Sequence, residues 1–261
     1  MISAGGHMAE AEKGKDEKNQ AAVEVSELTK IINERIIVDR ISFSVKNGET
    51  FGLLGANGSG KTTTFNMLSG LLSPSSGSVI ILGKSMKEIK KIPRPEIGFV
   101  MQEDSFYETL TARENLEFFA EMMGIPEDEK EKRIRKLLQE MSLSDKADTL
   151  SSRLSGGMKK RLNMACALVH DPNVIFLDEP TVGLDPVVRK EIWGIIEKMH
   201  QSDKTIIITS HYMDEVERLC HRVAIMYSSR LVAIGTPEEL KAKYKLKQME
   251  DVFAYVAKPA E

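Results

Sequence analysis

An α/β fold with a mostly parallel sheet, fronted by an antiparallel β layer and interrupted by a helical insertion, is predicted from three stretches of the sequence. The first is Gly55-Ala56-Asn57-Gly58-Ser59-Gly60-Lys61-Thr62, of the form G-x-x-x-x-G-K-[ST]. It lies between the apolar run Thr50-Phe51-Gly52-Leu53-Leu54 and a segment, Thr62 to Leu72, with Phe65, Leu68, Leu71 and Leu72 at helical spacing. The second is a pair of uninterrupted apolar runs, Val174–Leu177 and Ile206–Ile208, suited to parallel strands buried on both faces. The third is the helical texture of residues 105–150, which stands between strand-like segments.

Taken in order, Met1 to Met8, ending Gly5-Gly6-His7-Met8, reads as an expression scar with Met8 as the native start. Ala9 to Gln20, almost entirely charged or small, reads as a disordered lead-in. Val23–Ile32 and Arg35–Val45 are β-rich, with alternation in Ile41-Ser42-Phe43-Ser44-Val45, and Asn47-Gly48 is a hairpin signal before the Thr50 strand. After the glycine loop and its helix come a turn at Ser73–Gly77, a strand at Ser78–Leu82 and another at Glu96–Met101. Thr111-Ala112-Arg113-Glu114 is a capping box that opens a helix to about Met123, stopped by Gly124. Pro126 begins a second helix, whose Ile134, Leu137, Leu138 and Met141 form one apolar stripe. Leu154-Ser155-Gly156-Gly157-Met158 leads into a helix through about His170, and Gly183-Leu184-Asp185-Pro186 turns into another through His200. Thr205–Thr209 is a buried strand, followed by a helix from Met213 to Cys220, a hairpin from Val223 to Ile234 and a second capping box at Thr236-Pro237-Glu238-Glu239. The expected organisation is one domain over residues 21–240, with a helical subdomain over about 105–160 and a short C-terminal tail, 241–261.

Composition excludes several classes. Of 261 residues, 41% are hydrophobic and 29% charged, ordinary for a soluble protein, and the formal net charge is −3 with no basic run along one face, so no nucleic acid is expected. No apolar stretch approaches the roughly 20 residues needed to span a bilayer, so a membrane role has to go through a partner. Cys166 and Cys220 have neither metal-ligand nor redox spacing, which suits a cytosolic chain, and Cys166 falls in a helical apolar pattern as a small buried hydrophobe.

The glycine loop carries the chemistry of a phosphate cradle. Glycines let successive backbone amides point inward at phosphate oxygens, the following helix adds the positive end of its dipole, and Lys61 adds a full charge. Gly55, Asn57, Gly58, Ser59, Gly60, Lys61, Thr62 and Thr63 are the candidate nucleotide contacts, with the Thr62 hydroxyl directed to Mg²⁺. Phosphoryl transfer to water also needs a metal site and a polarised water. Asp178, at the end of an apolar strand, is placed to hold Mg²⁺. Glu179 beside it is placed to orient or deprotonate the attacking water. Gln102 and His211, each just past a strand end, are placed to reach the metal or the γ-phosphate.

With these residues in view, the sequence resembles the nucleotide-binding subunit of an ABC transporter over about residues 22–240. Gly55–Thr62 matches the family's Walker A motif, Gln102 its Q-loop and Leu154-Ser155-Gly156-Gly157 its signature. Val174–Asp178 matches Walker B, Glu179 the catalytic glutamate, Gly183-Leu184-Asp185 the D-loop and His211 the switch histidine. The resemblance implies an ATPase using ATP and Mg²⁺, in which two subunits meet head to tail and ATP on Lys61 and Thr62 of one faces Ser155, Gly156 and Gly157 of the other. The pair is a homodimer or a heterodimer. It also implies a cytoplasmic subunit, peripheral on the inner face of the cell membrane and working with integral membrane permease subunits, with Phe106 and Tyr107 as docking candidates. Pro180–Pro186 and the tail around Met249–Phe253 are similar to ATPases of ABC-2 type exporters. Soluble ABC ATPases of nucleic acid or ribosomes, and importer ATPases, are the alternatives. Two departures stand out. Met158 replaces the usual glutamine of the signature, and Ile32 occupies the position where the family stacks an aromatic ring on adenine, which predicts weaker adenine discrimination and lowered ATP affinity.

Overall fold

β-branched and apolar residues dominate two twelve-residue segments, which form strands β1 (Ala21–Ile32) and β2 (Arg35–Lys46). They pair antiparallel across a two-residue turn, Asn33-Glu34, whose positive φ values of 48° and 62° match the primed turns that fit strand twist. With β4 (Ser76–Ile81) and β5 (Lys84–Ser85) they make a four-stranded antiparallel sheet in the order β2-β1-β4-β5. A computed structural model describes residues 20–86 and 95–257. The scar expected at the N-terminus and the lead-in before Gln20 lie outside the described residues.

The second sheet has six strands: β3 (Thr50–Gly55), β6 (Ile97–Val100), β7 (Val174–Asp178), β8 (Thr205–Ser210), β9 (Arg222–Tyr227) and β10 (Arg230–Gly235). Their order is β10-β9-β3-β8-β7-β6, parallel except for β10, which returns antiparallel along β9. The predicted α/β architecture is therefore present. One turn differs from its sequence reading. Asn47-Gly48 does reverse the chain, with Gly48 at φ 72°, but β2 and β3 belong to different sheets and do not pair. The Thr205 hydroxyl takes the Gly48 amide at 2.9 Å, and the buried Glu49 carboxylate takes the Lys46 amide at 2.7 Å and the Arg222 guanidinium at 3.2 Å. Those bonds commit the turn to the parallel sheet, which a two-residue hairpin signal cannot reveal.

The apolar runs are divided between two cores by the period-two geometry of a strand. Val174 and Phe176 of β7 face the core shared with the antiparallel sheet and α1 (Lys61–Leu68), while Ile175 and Leu177 face the core shared with the helical side. Phe176 anchors the first core, edge-on to Phe65 and stacked with Phe99. The helix α1 is shorter than its periodicity suggests. It ends at Leu68 before Gly70 at φ 75°, and Leu71 is 67% exposed.

On the helical side, α2 (Ala112–Met122) begins with the predicted reciprocal capping box between Thr111 and Glu114. In α3 (Glu127–Glu140), Ile134, Leu137 and Leu138, with Met141 just beyond, are buried as one stripe. Among the described residues the other α-helices are α4 (Gly156–Leu168), α5 (Pro186–Gln201), α6 (Met213–Leu219), α7 (Pro237–Tyr244) and α8 (Met249–Val256). Within the stretch read as a tail, Met249 and Val252 of α8 are fully buried in the same core. Both cysteines are buried, and a Cβ on Gly52 would lie 2.8 Å from Cys220 Sγ, so glycine lets α6 pack directly on β3. Among the described residues no helix is long and apolar enough to cross a membrane.

Candidate active site

Parallel strands deliver their C-terminal ends to one edge, and here that edge collects the polar residues of the sheet. Gly55 ends β3, Asp178 ends β7, His211 follows β8 and Gln102 lies two residues past β6. The registers Asp178↔Thr209 and Leu54↔Ser210 bring three of those ends side by side.

The loop after β3 is shaped for close backbone approach. Gly58 and Gly60 have φ of 80° and 103°, left-handed values that side chains resist. A Cβ on Gly60 would lie 2.6 Å from the Ile37 carbonyl, and one on Gly55 would lie 2.4 Å from Ser59 Oγ. The loop therefore cannot be built without these glycines. Gly60 caps α1 without a side-chain bond, so the first amides of the helix are not taken by a capping side chain, and no acidic residue occupies its first turn. Ser59 Oγ is buried and has no hydrogen-bond partner. An orphaned hydroxyl, open helix amides and a lysine in one concave turn fit a phosphate ester. Ala56, Asn57, Gly58 and Thr62 are exposed on this loop, and Thr63 is half-buried.

Lys61 is 5% exposed, with Nζ 2.7 Å from the Gly55 carbonyl, 3.2 Å from that of Ala56 and 3.5 Å from Glu179 Oε1. The other oxygen of Glu179, Oε2, lies 2.7 Å from His211 Nδ1. Glu179 thus bridges the lysine of the loop and the histidine after β8. Its own backbone sits at φ 46°, an uncommon conformation for a non-glycine residue, held by its amide bonding to the Thr209 hydroxyl at 3.0 Å and carbonyl at 3.2 Å. The same hydroxyl donates to Asp178 Oδ1 at 2.5 Å. Burial pushes the Asp178 carboxyl above its ordinary value, against the Thr209 bond and the positive charges nearby.

Ser155 and Gly156 are exposed, and Gly157 is half-buried, at the start of α4. Ser155 caps the helix, its hydroxyl taking the Met158 amide, and a Cβ on Gly157 would lie 2.7 Å from Val188 of α5. The signature residues make no hydrogen bond to the phosphate loop of their own chain among the described residues. Asp185 is likewise exposed, its Oδ1 capping α5 through the amides of Val187 and Val188 at 2.9 and 3.1 Å. The Gln102 side chain is exposed and bonds to none of Lys61, Asp178 or Glu179, while its carbonyl lies 3.5 Å from the buried Lys160 Nζ. Burial holds the Lys160 ammonium below the usual lysine range.

Sequence reasoning missed three polar residues of this region. Thr209 is the one that tethers the Asp178 carboxylate and the Glu179 backbone amide, and its signal was a hydroxyl at the end of an isoleucine run. Glu215 is fully buried behind the edge, its Oε1 accepting from Thr181 at 2.7 Å and from the Trp193 indole at 3.0 Å. Lys160 is the third, hidden in what reads as a charged helix face. Ile32, the predicted adenine contact, is 42% exposed at the β1–β2 hairpin, next to the similarly exposed Ile31 and Ile36.

The ABC transporter family model matches residues 38–182. The Probable multidrug ABC transporter ATP-binding protein YbhF of Escherichia coli is 41% identical over 224 residues, which is 86% of this chain and 39% of that protein. The chain thus spans well under half of that relative. The Nod factor export ATP-binding protein I of Paraburkholderia xenovorans is 42% identical over 223 residues, 85% of this chain and 73% of its own length. A solved structure of an ATP-binding subunit of an ABC transporter superposes with a TM-score of 0.83 at 27% identity, over 91% of this chain and all of that one. The ATP-binding cassette MJ0796, solved as a dimer in a post-hydrolysis state with ADP and Pi, superposes with a TM-score of 0.74 at 27% identity, over 82% of this chain and 98% of that one. The chain belongs to the ABC transporter family.

Proposed function

We propose that this chain powers export through a separate membrane subunit, hydrolysing ATP at a pair of sites formed only when two ATPase subunits meet head to tail. The observation that carries the reading is the division of the site. Lys61, Asp178 and Glu179 are assembled and buried at one edge, whereas Ser155 and Gly156 stand exposed with no phosphate partner in their own chain.

In the closed pair, the loop amides and Lys61 of one subunit hold the phosphates, and Ser155 with the first amides of α4 in the other subunit hold the γ-phosphate. Thr62 and Asp178 are the residues that would hold Mg²⁺, which when bound would neutralise charge on the nucleotide phosphates. Among the described residues no three His, Cys, Asp or Glu groups cluster as a metal cage, which suits an ion held by few protein ligands and by phosphate oxygens. Glu179 takes the proton of the attacking water as its oxygen bonds to the γ-phosphorus and the bond to the β–γ bridging oxygen breaks. His211, 2.7 Å from Glu179, fixes the rotamer of that carboxylate. Loss of the γ-phosphate removes the contact to the partner's Ser155 region and lets the pair reopen.

The membrane side of the reading rests on an aromatic patch. Of the two docking candidates, Phe106 is buried in the core at 7% exposure, but Tyr107 is 50% exposed and edge-on to Phe118, itself 38% exposed, with Met122 at 48% nearby on the same helix. Such a patch, on the helical insertion next to Gln102, suits a permease segment at the inner face of the membrane. Of the two relatives, one is named for a multidrug ABC transporter and the other for Nod factor export. Glu179→Gln is expected to lower hydrolysis by about a hundredfold or more and to trap an ATP-dependent dimer on size exclusion. A Glu179→Gln chain that stays monomeric at saturating Mg-ATP contradicts the proposal. Mass identification of proteins co-purifying from native membranes tests the export half, and a polytopic membrane protein in stoichiometric amount is the expected result.

A further inference from the structure

Residues 101–111 link the nucleotide edge to the aromatic patch. The segment starts with Gln102 at the nucleotide edge, passes through Tyr107 of the aromatic patch and ends at Thr111, the cap of α2. Two buried asparagines on different helices hold it. Asn163 lies two turns along α4 from Ser155 and is 1% exposed. Its Nδ2 donates to the carbonyls of Met101 at 3.2 Å and Glu103 at 3.3 Å, and its Oδ1 accepts the Ser105 amide at 3.1 Å. Asn115 of α2 is fully buried. Its Oδ1 accepts the Tyr107 amide at 2.8 Å, and its Nδ2 lies 2.9 Å from the Tyr107 carbonyl, 3.0 Å from that of Thr111 and 2.9 Å from Ser151 Oγ.

Ser151 opens the stretch that ends at Ser155. Its amide donates to the Leu110 carbonyl at 2.9 Å, and the Ser152 amide donates to that of Glu108 at 3.1 Å. A hydrogen-bonded path therefore runs from the Tyr107 backbone through Asn115 to Ser151, and a second from residues 101–105 through Asn163 into α4. Each asparagine uses both ends of its amide, so it cannot release the segment without leaving buried polar groups unpaired.

We propose that Asn115 and Asn163 are positioning residues that make residues 101–111 and 151–157 respond as one body, so that displacement of the Tyr107–Phe118 patch reaches Gln102 and Ser155 together. The source of that displacement rests on the patch being the membrane contact; the link itself does not. Hydrogen exchange on the full Glu179→Gln chain, with and without Mg-ATP, tests it. In the parent, protection is expected to rise at 55–62, 101–111 and 151–157. In Asn115→Ala and Asn163→Ala, 55–62 stays protected while the nucleotide-dependent gain at 101–111 falls about tenfold. With Glu179 restored, the same variants lower kcat and leave the KM for ATP unchanged. Leu162→Ala, which opens a cavity at a fully buried position of the same helix, controls for general loosening and keeps the response. Persistence of the gain at 101–111 in both asparagine variants, or its equal loss in Leu162→Ala, overturns the link. A parent that responds at 55–62 but not at 101–111 overturns the link and leaves the ATPase reading intact; a parent silent at 55–62 overturns both.

Discussion

The nucleotide edge of the parallel sheet and the start of α4 use the same device, a helix N-terminus preceded by glycine or serine, in opposite ways. At the edge, Lys61, Asp178 and Glu179 are each under a tenth exposed and tied to one another or to Thr209 and His211. At α4, Ser155 and Gly156 are exposed and bond only within their own helix end. Burial preorganises the first set, because a carboxylate and an ammonium held dry stay in place only when paired. Exposure of the second set leaves the start of α4 facing outward. On the proposed reading, the difference means that one chain carries two halves of two different active sites.

The sharpest way to break that comparison is complementation. Lys61→Ala removes the phosphate charge from one half and Ser155→Arg blocks the other, so each variant alone is expected to lose hydrolysis almost entirely. In an equal mixture, half of the dimers are mixed and each has one intact site of two, so activity returns to about a quarter of the parent's. A mixture as silent as its components would place Ser155 outside the site.

A second, smaller effect probes the buried side. Burial pushes the Glu215 carboxyl above its ordinary 4.5, against the hydrogen bonds from Ser210, Thr181 and Trp193. A raised acid binds its proton more tightly in the folded chain, so its stabilising contribution is complete below the unfolded value and is lost as pH rises through the folded one. Glu215→Gln, which keeps an acceptor for Thr181 and carries no charge, is therefore expected to unfold at a similar temperature to the parent near pH 4 and at a higher one near neutrality. Thermal unfolding across that pH range reads the difference. A gap that does not grow with pH would mean that the fold does not raise the Glu215 carboxyl.

The smallest effect concerns the base. Ile32 gives the hairpin an aliphatic surface at the position proposed to meet adenine, so Ile32→Tyr is expected to tighten ATP relative to GTP by several-fold, the worth of one aromatic contact. Competition titration against a fluorescent ATP analogue measures it. A parent that already prefers ATP strongly would show that selectivity comes from elsewhere.

The sequence by itself determined the elements that local chemistry controls. The glycine loop was legible because φ values of 80° and 103° and a carbonyl 2.6 Å from Gly60 admit little else. Capping at Thr111 and Thr236 was legible because a helix start needs an oxygen for its free amides. The runs at Val174 and Ile206 announced two-faced burial because only strands covered on both sides dispense with polar residues. What only the tertiary structure decided was which polar groups meet. That the hydroxyl of Thr209 holds both Asp178 and the Glu179 backbone depends on the β7–β8 register, set by pairing over residues about thirty apart. That Asn47-Gly48 passes between sheets, that Phe106 is core while Tyr107 is surface, and that Asn115 and Asn163 meet one segment from two helices depend on packing. Packing is a property of three-dimensional neighbours, and a one-dimensional pattern of hydrophobicity does not specify them.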